Sequence, residues 1–473
     1  MSFNYEGAVM TIPATVLKVL DDWHIDYQVT DDKDALQLMQ GNPMTSYSSK
    51  LAKVIFLKDS IGKVQVVIPS NRILDLNRLS QQCGRQFNAL KPNELMQLKA
   101  KFGIEDFPAL PQVTQIDSMV DERLLAETEL FITSGDNNEW ITLPVNCFKS
   151  LTSSSTIGNF TVPLPNPSDQ QSPSQDLDDV HTAIKQFTPL RIKQRLEETL
   201  DLPPLPETAR NIIELRVNPN ANTADLTKVV EMDPGMAAQV VSWARSPYYG
   251  VKGEIKSVED AVIRVLGFDL VINLALGLAL GRTLTVPKEG PHGYTPFWQQ
   301  AVMTAALMGE LARLMPAIER PHRGTAYLCG LLHNFGYLIL GHVFPPQFAL
   351  INRYIEANPH INRSLLEKYL MGLNREQISS LLMQQWRMPE EVVIALRSQH
   401  NPSYKDEFNT CANLLYVATR SLRSYGFGDG ANEKPHAEVY KRLGISADDV
   451  HNITENLLEK ADDLDELVGM LNK

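Results

Sequence analysis

In this chain His333 is followed by Asn334, and His400 is preceded by Gln399. Imidazole is a good ligand for a transition metal, and a carboxylate beside it would help acidify a bound water. Asparagine and glutamine carry no charge and ligate such metals poorly. The four cysteines, Cys83, Cys147, Cys329 and Cys411, lie far apart with no CxxC pair, so they suggest neither a disulfide framework nor a zinc ribbon. They read as buried thiols of a reducing compartment. No Ser-His-Asp or Cys-His set is apparent. The turn Ala244–Gly250 (ARSPYYG) carries Arg245, Tyr248 and Tyr249. It is an exposed recognition loop on one reading; on the other, Pro247 and Gly250 shape a turn with the tyrosines packed beneath it.

The residues that position these groups come from a chain of 473 residues, 43 % hydrophobic and 21 % charged. That length predicts about three domains, or two with extensions. The net charge of −12 argues against a DNA-coating protein, because phosphate binding needs a basic surface. The first ten residues show no basic segment followed by an apolar one, so no signal peptide is expected. The longest apolar run, Leu270–Leu280, is interrupted by Asn273 and falls short of the roughly 20 residues a membrane span needs, so it reads as a buried helix. A cytoplasmic protein with no membrane and no DNA partner is the expectation.

The Ser- and Pro-rich stretch 152–188 reads as a linker, too polar to offset its backbone ordering entropy. Before it the pattern is α+β. A helix is predicted over Val16–Asp22, and β-rich runs at Lys53–Lys58 and Val64–Pro69 flank a hairpin turn at Asp59-Ser60-Ile61-Gly62. Further strands are predicted at Glu129–Thr133 and Glu139–Leu143. After the linker the pattern is helical, with capping signals at Ser257…Asp260 and Ser364…Glu367. The tail Asp448–Lys473 reads as one acidic amphipathic helix docked on its own domain.

Ordered pieces of the second half carry a resemblance: LPPLPET (Leu202–Thr208), Asp233-Pro234-Gly235-Met236, ARSPYYG, IKSVEDAVIRVLG (Ile255–Gly267), Phe297-Trp298, GLLHNFG (Gly330–Gly336), Gly372-Leu373-Asn374, Trp386–Pro389 and Gln399-His400-Asn401-Pro402. Together they resemble the HDOD family of bacterial signalling proteins, relatives of the HD phosphohydrolases. The resemblance implies an HD-like helical bundle with a degenerate metal site. Gln300 stands where the hydrolases place a His, Asn334 replaces the bridging carboxylate, Arg375 replaces another His, and Gln399 precedes His400 where a His pair is expected. His333 is then a hydrogen-bonded remnant that fixes helix packing. A fixed cation about 4 Å from a dication would repel it by roughly 8 kcal/mol at an effective dielectric of 20. No metal and no cofactor are expected, and the domain is implied to be a regulatory module with protein partners in signalling.

The first half is similar to the YbaK-type aminoacyl-tRNA deacylases, through VLKVLDDWHIDYQV (Val16–Val29), AKVIFLK (Ala52–Lys58), VQVVIPSNRILDLNRL (Val64–Leu79), FPALP (Phe107–Pro111), DERLL (Asp121–Leu125) and FITSGDNNEWITL (Phe131–Leu143). That likeness implies a mixed sheet with flanking helices and puts Lys53 in a substrate pocket. There it would bind a terminal phosphate or stabilise the oxyanion formed as water attacks an ester. Ser134, Gly135 and Asp136 would line the pocket with backbone donors, and Pro108, Ala109 and Leu110 would limit amino-acid size. Ala109 stands where active relatives often have glycine. The bare residue pattern also allows Lys53 to be a surface strand residue. Between Lys50 and Lys101, ten basic residues face three acidic ones, which could steer RNA phosphates or be ordinary surface.

The resulting expectation is a deacylase-like domain at 1–151, a linker at 152–188, an HDOD domain at 189–405 and a helical extension at 406–473 packing on it. The expected function is regulatory, with an aminoacyl or tRNA-type ligand at the first domain. The competing expectation is an aminoacyl-tRNA deacylase with an accessory helical domain.

Overall fold

The computed structural model describes residues 12–31, 48–136, 139–166, 173–187, 205–250, 253–282, 284, 286–287, 290–430 and 433–471. The chain divides into two compact units. Unit 1 takes Met1–Asn166 with Pro291–Gly293 and Leu350–Leu366, and unit 2 takes the remainder.

Unit 1 is α+β. Strands β2 (Ala52–Lys58) and β3 (Lys63–Pro69) pair antiparallel with Lys53 opposite Ile68. The Asp59 carboxylate closes their turn by accepting the Ile61 and Gly62 N–H groups. Arg85 grips the same carboxylate and holds it well below the usual pKa range. The sheet continues through β5 (Asn88–Ala89) on one side and through β6 (Asp117–Asp121) and β9 (Thr156–Gly158), both parallel, on the other. A second sheet joins β1 (Gln28–Asp31), β8 (Glu139–Pro144) and β7 (Glu129–Thr133). Val16 and Leu20 of the helix Ala14–Asp22 pack into a core with Phe56, Leu110, Ile132 and Phe148.

The stretch expected to be a linker holds regular structure in its described residues. Besides β9 it contains β10 (Thr161–Pro163), paired with β4 (Arg72–Leu74), and the helix Pro173–Phe187. Tertiary partners outweigh the polar composition. Phe160 and Val162 are buried, and the buried Asp121 carboxylate accepts the Phe160 N–H and the Thr161 hydroxyl. In the helix, Asp176 accepts from Arg397 and Gln377. Residues 167–172 and Thr188 lie outside the described residues.

Within unit 1, Asn358 pairs with the strand β4 as another strand would. Its Oδ1 accepts the Leu74 N–H at 2.6 Å, and its Nδ2 donates to the Leu74 carbonyl at 3.1 Å. The Tyr354 hydroxyl donates to Asp75 at 2.8 Å, and His360 Nε2 donates to the Arg72 carbonyl at 3.2 Å.

Unit 2 is helical. The apolar run forms the helix Phe268–Gly281, buried from Leu270 onward. Among the described residues no helix is long and apolar enough to cross a membrane. Ser257 caps its helix as expected, accepting the Asp260 N–H. Of the second expected cap, Ser364 falls in unit 1, where Asn362 accepts its N–H, and Glu367 of unit 2 turns inward to an arginine. The tail is two helices, Ala447–Leu458 and Ala461–Leu471, rather than one. Their Val450, Leu457, Leu464 and Val468 are buried, and both helices pack on the helix Phe297–Leu314.

Candidate functional site

Close helix approach builds the cluster in unit 2. A Cβ on Gly330 would sit 2.5 Å from the Ala305 backbone, so glycine lets the helix Arg323–Leu332 lie directly on Phe297–Leu314. A Cβ on Gly336 would sit 2.2 Å from the Arg375 carbonyl oxygen, which brings the helix Phe335–Val343 against the start of Arg375–Gln385. His333 and Asn334 fall between these two glycines.

Arg375 is 2 % exposed. Its Nη1 donates to Asn334 Oδ1 at 3.0 Å and to Asp429 at 2.8 Å, while its Nε and backbone N–H both go to Glu367. Asn334 Nδ2 in turn donates to Gln300 Oε1 and to Asp429, each at 3.3 Å. Arg423 lies 3.6 Å from the other Asp429 oxygen. Two guanidinium groups therefore face two carboxylates, with two amides between them. His333 Nδ1 donates to the Gly330 carbonyl at 2.7 Å, and its own carbonyl accepts from Gln399 at 2.9 Å. His400 pairs with Glu376 at 3.2 Å.

Gln300, Asn334 and Arg375 are thus joined directly, with His333 and Gln399 linked to each other beside them. Glu367, Asp429, Arg423 and Glu376 were missed from the sequence. For Asp429 a signal existed: Gly428 and Gly430 flank it at φ +125° and +128°, a backbone that sets one side chain at a fixed angle. The cavity beside the cluster, lined by Gln300, Thr304, His333, Thr419, Arg423 and Asp429, measures about 10 Å³, room for one water.

The family of HD hydrolases implies a metal at such a place, and these residues do not fit one. Asp429 is engaged by Arg375 and Arg423, Asn334 and Gln300 are neutral, and a guanidinium lies inside the cluster. Among the described residues no three His, Cys, Asp or Glu side chains are grouped to hold a metal ion.

In unit 1, Lys53 sits on β2 with its ammonium 5.3 Å from the centre of the Trp140 ring. Trp140 lies opposite Thr133, one residue before Ser134, so Lys53 and the Ser134–Asp136 loop share one end of the β7–β8 hairpin. The loop's own donors turn inward. Ser134 N–H goes to the Glu139 carbonyl, Gly135 N–H to Thr133 Oγ1 and Asp136 N–H to Ser134 Oγ. Gly135 adopts φ +98° and packs against Pro13 and Val16. Pro108, Ala109 and Leu110 are buried, with Ala109 and Leu110 in the core beside Phe56, and the Leu110 N–H donates to the Pro108 carbonyl. The imidazole of His360 is pushed down to about 4, chiefly by burial, with the Lys53 charge adding to the effect.

In the ARSPYYG turn Tyr248 and Tyr249 are half-buried, while Arg245, Pro247 and Gly250 are exposed. Arg245 Nε donates to the Ile255 carbonyl at 2.7 Å, Trp243 Nε1 donates to the Tyr249 hydroxyl at 3.0 Å, and burial pushes that phenol up to about 12.

The HDOD domain family matches residues 202–402, and the aminoacyl-tRNA editing domain family matches residues 43–150. A Marinobacter aquaeolei VT8 protein, described as a candidate signal transduction protein, has a crystal structure 41 % identical to this chain. The match covers 98 % of this chain and 100 % of that one, with a TM-score of 0.87. The chain is an HDOD-domain protein with an aminoacyl-tRNA editing domain. The Arg375 cluster lies in the HDOD match, and the Lys53 hairpin lies in the editing match. An uncharacterized Treponema pallidum (strain Nichols) protein is 25 % identical over 244 residues, 51 % of this chain and 45 % of that protein, so this chain spans under half of that curated relative.

Proposed function

We propose that this HDOD protein is a cytoplasmic regulator. Its helical domain works by binding protein partners rather than by metal-dependent phosphohydrolysis, and its editing-type domain senses an aminoacyl or tRNA-type ligand at Lys53. The observation that carries the reading is the Arg375 guanidinium bonded to both Asn334 and Asp429. An HD-type hydrolase would need that volume for its metal. The test is binding of a non-hydrolysable 3′-aminoacylamino-adenosine to the full chain by calorimetry, beside an assay for cyclic-dinucleotide hydrolysis. Binding lost in Lys53→Ala, with no hydrolysis, supports the reading; metal-dependent turnover rejects it.

A second reading, aminoacyl-tRNA deacylation, rests on Lys53 itself, whose ammonium lies over Trp140 at the end of the β7–β8 hairpin. A lysine at that place can stabilise the oxyanion of ester hydrolysis. Mischarged tRNAs hydrolysed by the wild type and spared by Lys53→Ala would favour it. Equal rates for the two proteins would remove it.

A further inference from the structure

The helix Pro173–Phe187 lies outside both family matches, after residue 150 and before residue 202. Within unit 2 it nevertheless packs on the helix Arg375–Gln385, which is inside the HDOD match. Asp176, Val180 and Ala183 are buried at i, i+4 and i+7, one stripe of the helix.

Across the contact, donors meet carboxylates. Gln377 Nε2 donates to Asp176 Oδ1 at 2.8 Å and to Asp179 Oδ2 at 3.1 Å. Gln377 Oε1 accepts the Asn374 N–H at 2.9 Å, which turns the NH₂ end of the amide toward the acidic helix. Arg397, on the helix Glu390–Ser398, donates to Asp176 through both Nε and Nη2, the latter at 2.9 Å. Arg397 keeps 13 % of its side-chain surface exposed and Asp176 keeps 8 %, so the pair is nearly dry. A pair in such a place gives up in desolvation much of what it gains by attraction. It selects which helix docks more than it tightens the docking. The buried apolar side chains described on this helix are one valine and one alanine. The contact is therefore specific through charge and light in apolar area, which are the terms of an exchangeable contact.

We propose that Gln377 and Arg397 form a docking face for acidic helices of partner proteins, and that Pro173–Phe187 fills it in cis until a partner displaces it. The helix already seated there specifies the occupant. It carries carboxylates at i and i+3 and small apolar residues at i+4 and i+7, the pattern of Asp176, Asp179, Val180 and Ala183. This rests on the reading that the helical domain acts through protein partners.

The probe is a fluorescent peptide of residues 173–187, titrated by anisotropy into the full chain. In the wild type the tethered helix competes at an effective concentration of about millimolar. The peptide should therefore bind at least about tenfold more weakly there than to V180D/A183D, whose own helix is weakened. Adding R397E to that variant should abolish the binding, and a peptide carrying Asp176→Lys should restore it. Each variant is checked by its thermal transition. Hydrogen exchange on the wild type needs no variant: protection within 173–187 should lie at least about tenfold below that of 375–385, because the cis helix opens on its own. Equal protection of the two helices, equal peptide binding by the wild type and folded V180D/A183D, no binding by either, failure of the charge-swapped peptide to rescue, or equal binding of a scrambled peptide overturns the proposal. If the peptide behaves as expected while the full chain shows metal-dependent hydrolysis, the docking face stands and the partner-binding reading fails.

Discussion

At the residue scale, Arg375 matters most because it is buried with its charge fully paired. Breaking a buried pair leaves the partner charges uncompensated, which is far more costly than the net worth of the pair. Arg375→Ala removes a buried cation from between Glu367 and Asp429 and should lower stability by about 3–5 kcal/mol, measured by urea unfolding. A loss under about 1 kcal/mol would mean that the carboxylates are neutral or solvated. The sequence showed Gln300, Asn334 and Arg375 as the wrong ligands for a metal. It did not show what satisfies Arg375, because Glu367 looked like a capping residue and Asp429 lies 54 positions away. Charge partners across such distances in the chain are settled by packing, not by local pattern.

His360 makes a second residue-scale prediction. Its folded pKa of about 4 lies below the ordinary 6.5, so between those values the unfolded chain binds a proton that the folded chain refuses. The stability this group contributes is therefore present above pH 6.5 and lost as the pH falls toward 4, with an amplitude up to about 3 kcal/mol. His360→Asn should flatten that part of the stability–pH profile. An identical profile in the variant would show that other groups control it.

At the scale of elements, the two predicted hairpins and the helix at Val16–Asp22 were legible because period-two alternation, turn residues and apolar spacing agree there. The strands β9 and β10 were not. Thr156–Gly158 and Thr161–Pro163 are short edge pieces whose order comes from β6, β4 and buried Asp121, none of which is local. The tail breaks at Glu459 and Lys460 between its two helices, although the apolar stripe runs through both. Helix approach sets the geometry of the Arg375 cluster. Gly336→Ala would drive a methyl into the Arg375 carbonyl and should cost about 1–3 kcal/mol or more through displacement of the helix start. Replacing Gly62, where a Cβ meets nothing within 4 Å, should leave stability nearly unchanged. Equal effects of Gly336→Ala and Gly62→Ala on the thermal midpoint would refute the close-approach argument.

At the scale of the whole molecule, a net charge of −12 hides a basic stretch from Lys50 to Lys101. Several of those charges are paired locally, as in Lys50–Glu129, Lys58–Glu94, Arg78–Asp75 and Arg85–Asp59. The two-part organisation was legible from composition. The assignment of Leu350–Leu366 to unit 1 was not, because Asn358 imitates a strand with a side chain and leaves no trace in hydrophobic pattern.

The most direct test of the account is metal content. The full chain is incubated with manganese, iron and zinc in turn, freed of unbound ion, and assayed by plasma mass spectrometry beside His333→Ala. The account predicts less than about 0.1 equivalent of any metal, with no difference between the two proteins. About one equivalent in the wild type, lost in His333→Ala, would contradict it.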